Sequence, residues 1–294
     1  MAISPYIRSL RLRTLPLSMS GIILGSGMAY PLIVTDDKVA VCHWWVVFAF
    51  AILTTLSLQI LSNLSNELGD ALRGTDTDQH ARVAYGLQSG EISQREMKIM
   101  IGLFVAFSII FGTTLIYFAF GSLISRESVV FFLLGATAII GAMTYTLGNH
   151  NYGYKGLGDL GVFLFFGLLS TIGSFYLEAH AVTYDVVWAS VAIAMPIVGV
   201  LNLNNVRDMD NDLKHGKRTF AGLLGKTGGK VYHVLLLATC FVIFACLRRW
   251  YVFIALPVII WHLWYLFTHR NSQLDLQMPV LMFTTIVIAI LALF

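Results

Sequence analysis

The sequence predicts an all-α integral membrane protein with about nine transmembrane helices. Its composition is the first reason: of 294 residues, 57% are hydrophobic and only 12% are charged, whereas about one quarter of a soluble domain is charged. The second reason is that the apolar residues fall into runs of about 20, the length that crosses a bilayer as a helix. Both observations favour a chain that is folded within the membrane.

The apolar runs define the expected helices one by one. The pair Arg248-Arg249 separates two of these runs almost without a loop, so we expect a helix break there. The nine helices are expected at roughly 14–34, 43–63, 98–118, 128–147, 160–177, 184–203, 231–247, 249–268 and 277–294.

The basic residues predict the orientation. If the N-terminus is cytoplasmic, all but four of the 19 Lys and Arg residues fall at or near the cytoplasmic side. Because positive charge collects on that side, we expect a multi-pass protein of the plasma (inner) membrane, with the N-terminus and the polar loops in the cytoplasm. The net charge of +3 does not indicate a nucleic-acid partner, so membrane lipid is the expected surroundings. The four basic residues expected on the opposite side of the membrane are Lys38, Arg126, Arg248 and Arg249.

Two polar connections stand out in what we expect to be a single transmembrane domain, 1–294. They are expected as cytoplasmic cap loops at 64–97 and 204–230, and they hold more than half of the 16 acidic residues. They follow the second and the sixth helix, which suggests a pseudo-repeat with halves at roughly 1–120 and 121–294. Since transporters usually hold their charges near the bilayer midplane, charge gathered at one surface favours a different function.

The first polar connection opens with Asn66-x-x-x-Asp70. Positions i and i+4 share one face of a helix, so these two side chains are expected to point the same way. The helix is expected to break at Gly74, which would let Asp76 fold back towards Asp70.

The second polar connection repeats this opening as Asn204-x-x-x-Asp208 and continues to Asp212. The three residues form one stripe at i, i+4 and i+8. Asp210 lies about 200° around the helix from Asp208, so it is expected to face away.

Two facing groups of carboxylate and amide oxygens predict a Mg²⁺–diphosphate site. Mg²⁺ prefers hard oxygen ligands and is usually bound through a few carboxylates plus substrate phosphates, and nearby basic residues would neutralise the remaining phosphate charge. The predicted metal ligands are Asn66, Asp70, Asp76, Asp208 and Asp212, and the four aspartates among them are the predicted catalytic residues. The candidates for the diphosphate are Arg73, Lys155, Arg207 and Lys217, each of which could instead be a positive-inside anchor.

These motifs resemble the UbiA superfamily of membrane prenyltransferases. Asn66-x3-Asp70-x5-Asp76 and Asp208-x3-Asp212 resemble its two Asp-rich motifs, and Gly216-Lys217-Arg218-Thr219 follows the second as it does in that family. Further stretches are most similar to the branch that prenylates 1,4-dihydroxy-2-naphthoate. They are Arg13-Thr14-Leu15-Pro16, Gln88-Ser89-Gly90 and Lys155-Gly156-Leu157-Gly158-Asp159. Glu67, at a position where the family usually has Asp, is a departure.

The resemblance implies nine helices around a central cavity that opens to the cytoplasm and laterally to lipid. It also implies Mg²⁺-dependent transfer of a polyprenyl group from an allylic polyprenyl diphosphate to dihydroxynaphthoate, with loss of diphosphate and CO₂. Asn63, Tyr145 and Arg13 are the candidates for the aromatic-substrate pocket. The alternatives are another aromatic or haem prenyltransferase of the superfamily, or a cation-coupled membrane transporter.

Overall fold

The computed structural model describes residues 4–33, 38–74, 85–149 and 151–294, and these residues fold almost entirely as helices. The main helices are α1 (Pro5–Ser9), α2 (Leu15–Ile33), α3 (Lys38–Arg73), α4 (Gln94–Phe120), α5 (Arg126–Thr144), α6 (Gly158–Val162), α7 (Ser170–Ala179), α8 (Tyr184–Lys214), α9 (Phe220–Cys246), α10 (Leu256–Thr268) and α11 (Gln277–Leu291). A π-helical turn, Phe163–Leu169, joins α6 to α7, and short 3₁₀ turns lie at Leu12–Thr14, Tyr152–Tyr154, Trp250–Ala255 and Asn271–Leu276.

The predicted membrane architecture is confirmed. In the described part of the chain, nine helical stretches are long and apolar enough to cross a membrane, and each overlaps one of the predicted helices. The break expected at Arg248-Arg249 is present, because α9 ends at Cys246 and Arg248 has a φ of 59°.

Two helix ends differ from the prediction. The second helix continues through Asn66 and Asp70 of the first motif to Arg73, and the sixth continues through the second motif to Lys214. The connections expected at 64–97 and 204–230 are therefore partly helical, and α9 already begins at Phe220. Hydropathy falls where a helix leaves the membrane, but its i→i−4 hydrogen bonds continue through polar residues. Asn66, Asp70 and the second motif are thus held on rigid helix ends.

Turn residues set the connections between the other helices. Ser93 and Glu96 form a capping box that begins α4, and Gly121, with a φ of 65°, ends it. Ser125 then caps the N-terminus of α5 by accepting a hydrogen bond from the Ser128 amide. Such caps satisfy backbone groups that a helix end would otherwise leave unpaired.

The core is centred on α8, the most buried of the nine spans, against which α9, α11 and α2 pack. Helix α2 also lies directly against α7. A Cβ atom on Gly25 would lie 2.1 Å from the Thr171 carbonyl oxygen, so glycine is required for this approach. Small residues commonly permit such close packing of membrane helices.

Candidate active site

The polar ends of α3 and α8 meet at one cavity of about 810 Å³. Residues of both motifs line it: Asn66, Asp70, Asn204, Asp208 and Asp212. Most of the remaining lining is apolar and includes Leu17, Ile22, Val105, Phe132, Ile139 and Phe166. The cavity therefore combines a charged region with a long apolar chamber.

An apolar groove of about 710 Å³ adjoins this chamber between α5 and the α6–α7 span. The groove and the chamber share five lining residues: Phe131, Leu134, Phe165, Leu169 and Gly173. These shared residues place the groove directly beside the chamber.

The first motif lies on the cavity side of α3. The Asn66 side-chain oxygen accepts a hydrogen bond from the Thr146 hydroxyl at 3.2 Å. Asp70 accepts one from the Tyr154 hydroxyl at 2.7 Å. Asp76 lies outside the described residues.

The second motif forms the stripe that its spacing predicts. The Asp208 and Asp212 side chains are only 10% and 4% exposed, and both line the cavity. Asp210 is 73% exposed and binds Lys226 at 2.7 Å. The helix therefore directs Asp208 and Asp212 into the cavity and Asp210 towards the surface.

Arg207 is embedded in the second motif. Its guanidinium donates to both Asp208 carboxylate oxygens, at 2.8 and 2.7 Å, and to the Asn204 side-chain oxygen at 2.7 Å. It also forms an ion pair with Asp275, beside the N-terminus of α11. The guanidinium offsets part of the negative charge that the two carboxylates bring to this helix end.

Tyr154 connects the two motifs, and sequence reasoning missed it. Its hydroxyl donates to Asp70, while the Arg73 guanidinium and the Lys217 ammonium lie 4.9 and 5.5 Å from its ring centroid. Lys217 in turn lies 3.6 Å from Asp212. One buried phenol thus bridges Asp70 to Asp212 through a hydrogen bond and cation–π contacts. A tyrosine in a short turn between two helices gives no periodic signal by which it could have been found.

Close packing positions the turn that holds Tyr154. A Cβ on Gly153 would lie 2.8 Å from the Tyr145 ring, and the Gly153 amide donates to the Tyr145 carbonyl at 3.0 Å. Burial, followed by the charges of carboxylates that include Asp70, raises the pKa of Tyr145, and burial raises the pKa of Tyr152 to about 12. Both rings line the cavity and remain neutral at physiological pH.

The predicted basic residues divide into two groups. Arg207 and Lys217 line the cavity, whereas Arg73 and Lys155 are exposed and do not. Arg73 donates to the Gly148 carbonyl at 2.7 Å. The backbone of Lys155 instead pairs with Arg218, the residue after Lys217.

The candidates for an aromatic pocket lie beside the N-terminal segment. Asn63 is buried and donates to the Leu10 carbonyl at 2.9 Å and to the Thr14 hydroxyl at 3.0 Å. Arg13 donates to the Tyr85 hydroxyl at 3.0 Å. Asn63, Arg13 and Tyr145 all line the cavity.

The donor set suits a cation that is shared with a ligand. In the described ranges, no group of three or more His, Cys, Asp or Glu side chains is close enough to hold a metal ion by itself. The carboxylates instead lie on two helix ends around one cavity. Mg²⁺ is usually bound in this way, through one or two carboxylates with phosphate and water oxygens completing its coordination.

Comparison with curated proteins identifies close relatives. The chain is 38% identical over 238 residues to the 1,4-dihydroxy-2-naphthoate octaprenyltransferase of Escherichia coli (strain K12), which covers 79% of this chain and 72% of the relative. It is 36% identical over 287 residues to the protein of the same name from Haemophilus influenzae, and the match covers 92% of this chain and 87% of that relative.

Solved structures share the fold. A UbiA homolog from Archaeoglobus fulgidus bound to DMAPP and Mg²⁺ superposes with a TM-score of 0.59 at 18% identity, covering 98% of this chain and 86% of that one. A UbiA homolog from Aeropyrum pernix K1 superposes with a TM-score of 0.62 at 15% identity, covering 99% of this chain and 100% of that one.

In this helical membrane bundle, two Asp-bearing helix ends meet over an apolar chamber, and the relatives are prenyltransferases. The protein is therefore a membrane prenyltransferase. The chain belongs to the UbiA prenyltransferase family, whose sequence profile matches residues 38–287.

Proposed function

We propose that this prenyltransferase moves a polyprenyl group from an allylic polyprenyl diphosphate to 1,4-dihydroxy-2-naphthoate, with Mg²⁺ as cofactor. The direct products are diphosphate, CO₂ and the prenylated naphthalene-1,4-diol, which gives demethylmenaquinone on two-electron oxidation. The observation that carries this proposal is that Asp70, Asp208 and Asp212 line the charged region of one cavity whose other walls are apolar. A lipid diphosphate has the same division between a charged head and an apolar tail.

Asn66, Asp70, Asp208 and Asp212, with Asp76, would hold Mg²⁺ directly or through water. Bound Mg²⁺ supplies positive charge that stabilises the departing diphosphate. Arg207 and Lys217 line the same region and can donate to phosphate oxygens. Arg73 supports this region through its contact with the Tyr154 ring. Lys155 follows Tyr154 in the sequence.

The remaining residues act on the tail and on the acceptor. The apolar chamber holds the polyprenyl chain and excludes water that would otherwise quench an allylic cation. The neutral ring of Tyr145 can stabilise that cation through its π face. Asn63 and Arg13 contact the aromatic acceptor, whose electron-rich carbon forms the new C–C bond as the allylic C–O bond breaks.

The Escherichia coli and Haemophilus influenzae relatives support dihydroxynaphthoate as the acceptor, since both are called 1,4-dihydroxy-2-naphthoate octaprenyltransferase. Solved structures support the donor and the metal, since a UbiA homolog from Archaeoglobus fulgidus is bound to DMAPP and Mg²⁺ in one structure and to GPP and Mg²⁺ in another.

The test is an assay of membranes that contain the protein, supplied with dihydroxynaphthoate, a polyprenyl diphosphate and Mg²⁺. We expect a prenylated, decarboxylated naphthalenediol by mass spectrometry, no product with EDTA, and recovery when Mg²⁺ is added in excess. Parallel assays with 4-hydroxybenzoate and haem test the other acceptors of the superfamily. Product only with one of those acceptors, or product that EDTA does not reduce, would contradict the proposal.

We place the protein in the inner membrane with its N-terminus and both motifs on the cytoplasmic side. The exposed Asp210–Lys226 pair marks the motif side of the bundle. In an Asp210→Cys variant whose three native cysteines, of which Cys42 and Cys246 are exposed, are replaced by Ser, a membrane-impermeant maleimide should label inside-out vesicles and leave right-side-out vesicles unlabelled. The reverse pattern would invert the assigned orientation.

A further inference from the structure

Asp275 is an acidic residue of the cavity that belongs to neither Asp-bearing motif. It lies in the short turn Asn271–Leu276, between α10 and α11, and it lines the cavity together with Arg207 and Asp208. Four acidic residues of the described ranges line this cavity, and the other three are aspartates of the two motifs. The turn therefore brings a further carboxylate to the site.

The turn holds the backbone of Asp275 in place independently of the motifs. Leu274 is fully buried in the core, and the Asn271 side chain donates a hydrogen bond to the Val206 carbonyl at 3.2 Å. These contacts fix the turn against the polar end of α8. The Asp275 side chain itself is 41% exposed, so it can rotate while its backbone stays in place.

Arg207 uses all three of its guanidinium nitrogens to connect the second motif to this turn. Its Nε and Nη2 donate to the two Asp208 carboxylate oxygens at 2.8 and 2.7 Å, and Nη2 also donates to the Asn204 side-chain oxygen at 2.7 Å. Its Nη1 instead pairs with Asp275 and lies 3.4 Å from the Met278 sulfur. One edge of the guanidinium thus binds the motif and the opposite nitrogen binds the turn.

The contact with Asp208 occupies the oxygens that a divalent metal ion would use. The Arg207 and Asp208 side chains are only 7% and 10% exposed, so solvent screens their charges weakly. A dication and a guanidinium at the same carboxylate repel each other strongly in such surroundings. Metal binding at Asp208 therefore requires the guanidinium to turn away, and Asp275 already contacts the nitrogen that does not bind the motif.

We propose that Arg207 is the internal cation of Asp208 in the metal-free enzyme and that Asp275 retains its guanidinium when Mg²⁺ binds. This rests on the proposed function, which assigns Mg²⁺ to the two motifs, and it adds Asp275 as a positioning residue. The Asp275 carboxylate keeps the displaced guanidinium paired at the cavity wall. The N–H groups released from Asp208 and Asn204 can then donate to phosphate oxygens.

Asp275 therefore sets the affinity for metal without binding the metal, and this is tested by direct binding. In Asp275→Asn the guanidinium has no second carboxylate, so it stays on Asp208 and competes with the metal. Mn²⁺ is the probe, because EPR reports the free ion, and geranyl thiolodiphosphate is added at saturation as an unreactive donor analogue. In purified protein, the Mn²⁺ dissociation constant should rise at least about tenfold in Asp275→Asn and stay within about threefold of wild type in Asp275→Glu, which keeps the carboxylate.

The same substitution in an Arg207→Gln background separates this exchange from direct coordination by Asp275. Without the guanidinium there is no cation for Asp275 to retain, so Asp275→Asn should change the Mn²⁺ dissociation constant by less than about twofold there. A direct metal ligand would instead be lost equally in both backgrounds.

Glu91→Gln is the matched control. Glu91 is 46% exposed and pairs with Arg8, so it resembles Asp275 in exposure and in having an arginine partner, but it does not line the cavity. Its loss should leave the Mn²⁺ dissociation constant within about twofold of wild type. The melting temperature in detergent shows that each variant is folded.

The outcomes separate this inference from the proposed function. Mn²⁺ affinity that depends on Asp275 as described, without prenyl transfer to dihydroxynaphthoate, would overturn the proposed function alone. An unchanged dissociation constant in Asp275→Asn, an equal rise in both backgrounds, or an equal rise in Glu91→Gln would overturn the exchange. Absence of Mn²⁺ binding by the wild type would overturn both.

Discussion

Tyr154 places a phenol between the two acidic motifs, and its hydroxyl and its ring can be tested separately. Tyr154→Phe removes the hydrogen bond to Asp70 but keeps the ring over which Arg73 and Lys217 lie. A hydrogen bond to a charged group contributes about 1.5–3 kcal/mol, so kcat/KM for the donor should fall at least about tenfold while the melting temperature changes little. Tyr152→Phe is the control, because it loses a bond to the Gly141 carbonyl only. Unchanged kinetics in Tyr154→Phe would show that the bridge is not needed.

The second motif allows a comparison within one helix turn. Asp208→Asn and Asp212→Asn each remove a buried charge that faces the cavity and should lower prenyl transfer by at least about 100-fold, in line with loss of an electrostatic contact to the transition state. Asp210→Asn breaks an exposed pair with Lys226, which contributes little, so its activity should stay within about twofold of wild type. Initial rates at saturating Mg²⁺ give the comparison, and equal losses at all three positions would refute the assignment of faces.

Residues differ in how far they can be predicted from the sequence. The Asn204–Asp208–Asp212 stripe is predictable because a helix repeats its faces at fixed spacing. The contacts of Tyr154 with Asp70 and of Arg13 with Tyr85 are not, since each joins segments far apart in the chain that no periodicity relates. Arg207 is predictable as a basic residue of the site, but its partner Asp275 becomes apparent only when α11 packs beside α8.

At the scale of elements, a chain of buried polar side chains fixes four helices against one another. Asn202 of α8 donates to His233 Nδ1 at 3.3 Å, His233 and His262 Nε2 atoms lie 3.0 Å apart, and His262 Nδ1 lies 2.8 Å from the Gln277 side-chain oxygen. Both histidines are fully buried. Because α8 ends in the second motif, this row of hydrogen bonds also fixes the position of that motif relative to the cavity.

Replacing one member of the chain should destabilise the bundle. His262→Phe leaves the partner atoms of His233 and Gln277 buried without hydrogen bonds, at a cost of about 1–3 kcal/mol for each unsatisfied group. We expect a lower melting temperature in detergent and a KM for the acceptor that stays close to wild type. His43→Phe, which removes one hydrogen bond between an exposed histidine and the Phe118 carbonyl, is the control. A variant as stable as wild type would mean that the network does not hold these helices together.

Helix existence and helix length are predictable to different degrees. All nine spans follow from apolar runs, since burial in lipid requires a continuous apolar surface of fixed length. The ends of α3 and α8 do not follow, because hydropathy reports where a helix leaves lipid rather than where its hydrogen bonds stop. The ten residues of α3 beyond Asn63 carry Asn66 and Asp70 of the first motif, so these two residues are held more rigidly than a loop assignment implies.

The whole molecule offers a lateral route for a long tail. Of the nine spans, α5 is the least buried, and it packs on α3 and α4. Its other side faces the α6–α7 span across the apolar groove that adjoins the chamber. A tail longer than the chamber can continue into this groove and reach lipid without exposing apolar carbon to water.

Filling that groove should therefore change the chain length that the enzyme accepts. Gly173 lines both the chamber and the groove, and a Cβ there would meet Leu169 at 3.6 Å and Phe131 at 3.9 Å, which are ordinary contact distances. Gly173→Trp should lower kcat/KM for a long polyprenyl diphosphate at least about tenfold, since the tail must displace or avoid the indole, and should leave geranyl diphosphate within about threefold. Gly102→Trp, at an exposed glycine that lines neither space, is the matched control. Equal losses for short and long donors would place the tail elsewhere, because a blocked groove can affect only the part of the substrate that enters it.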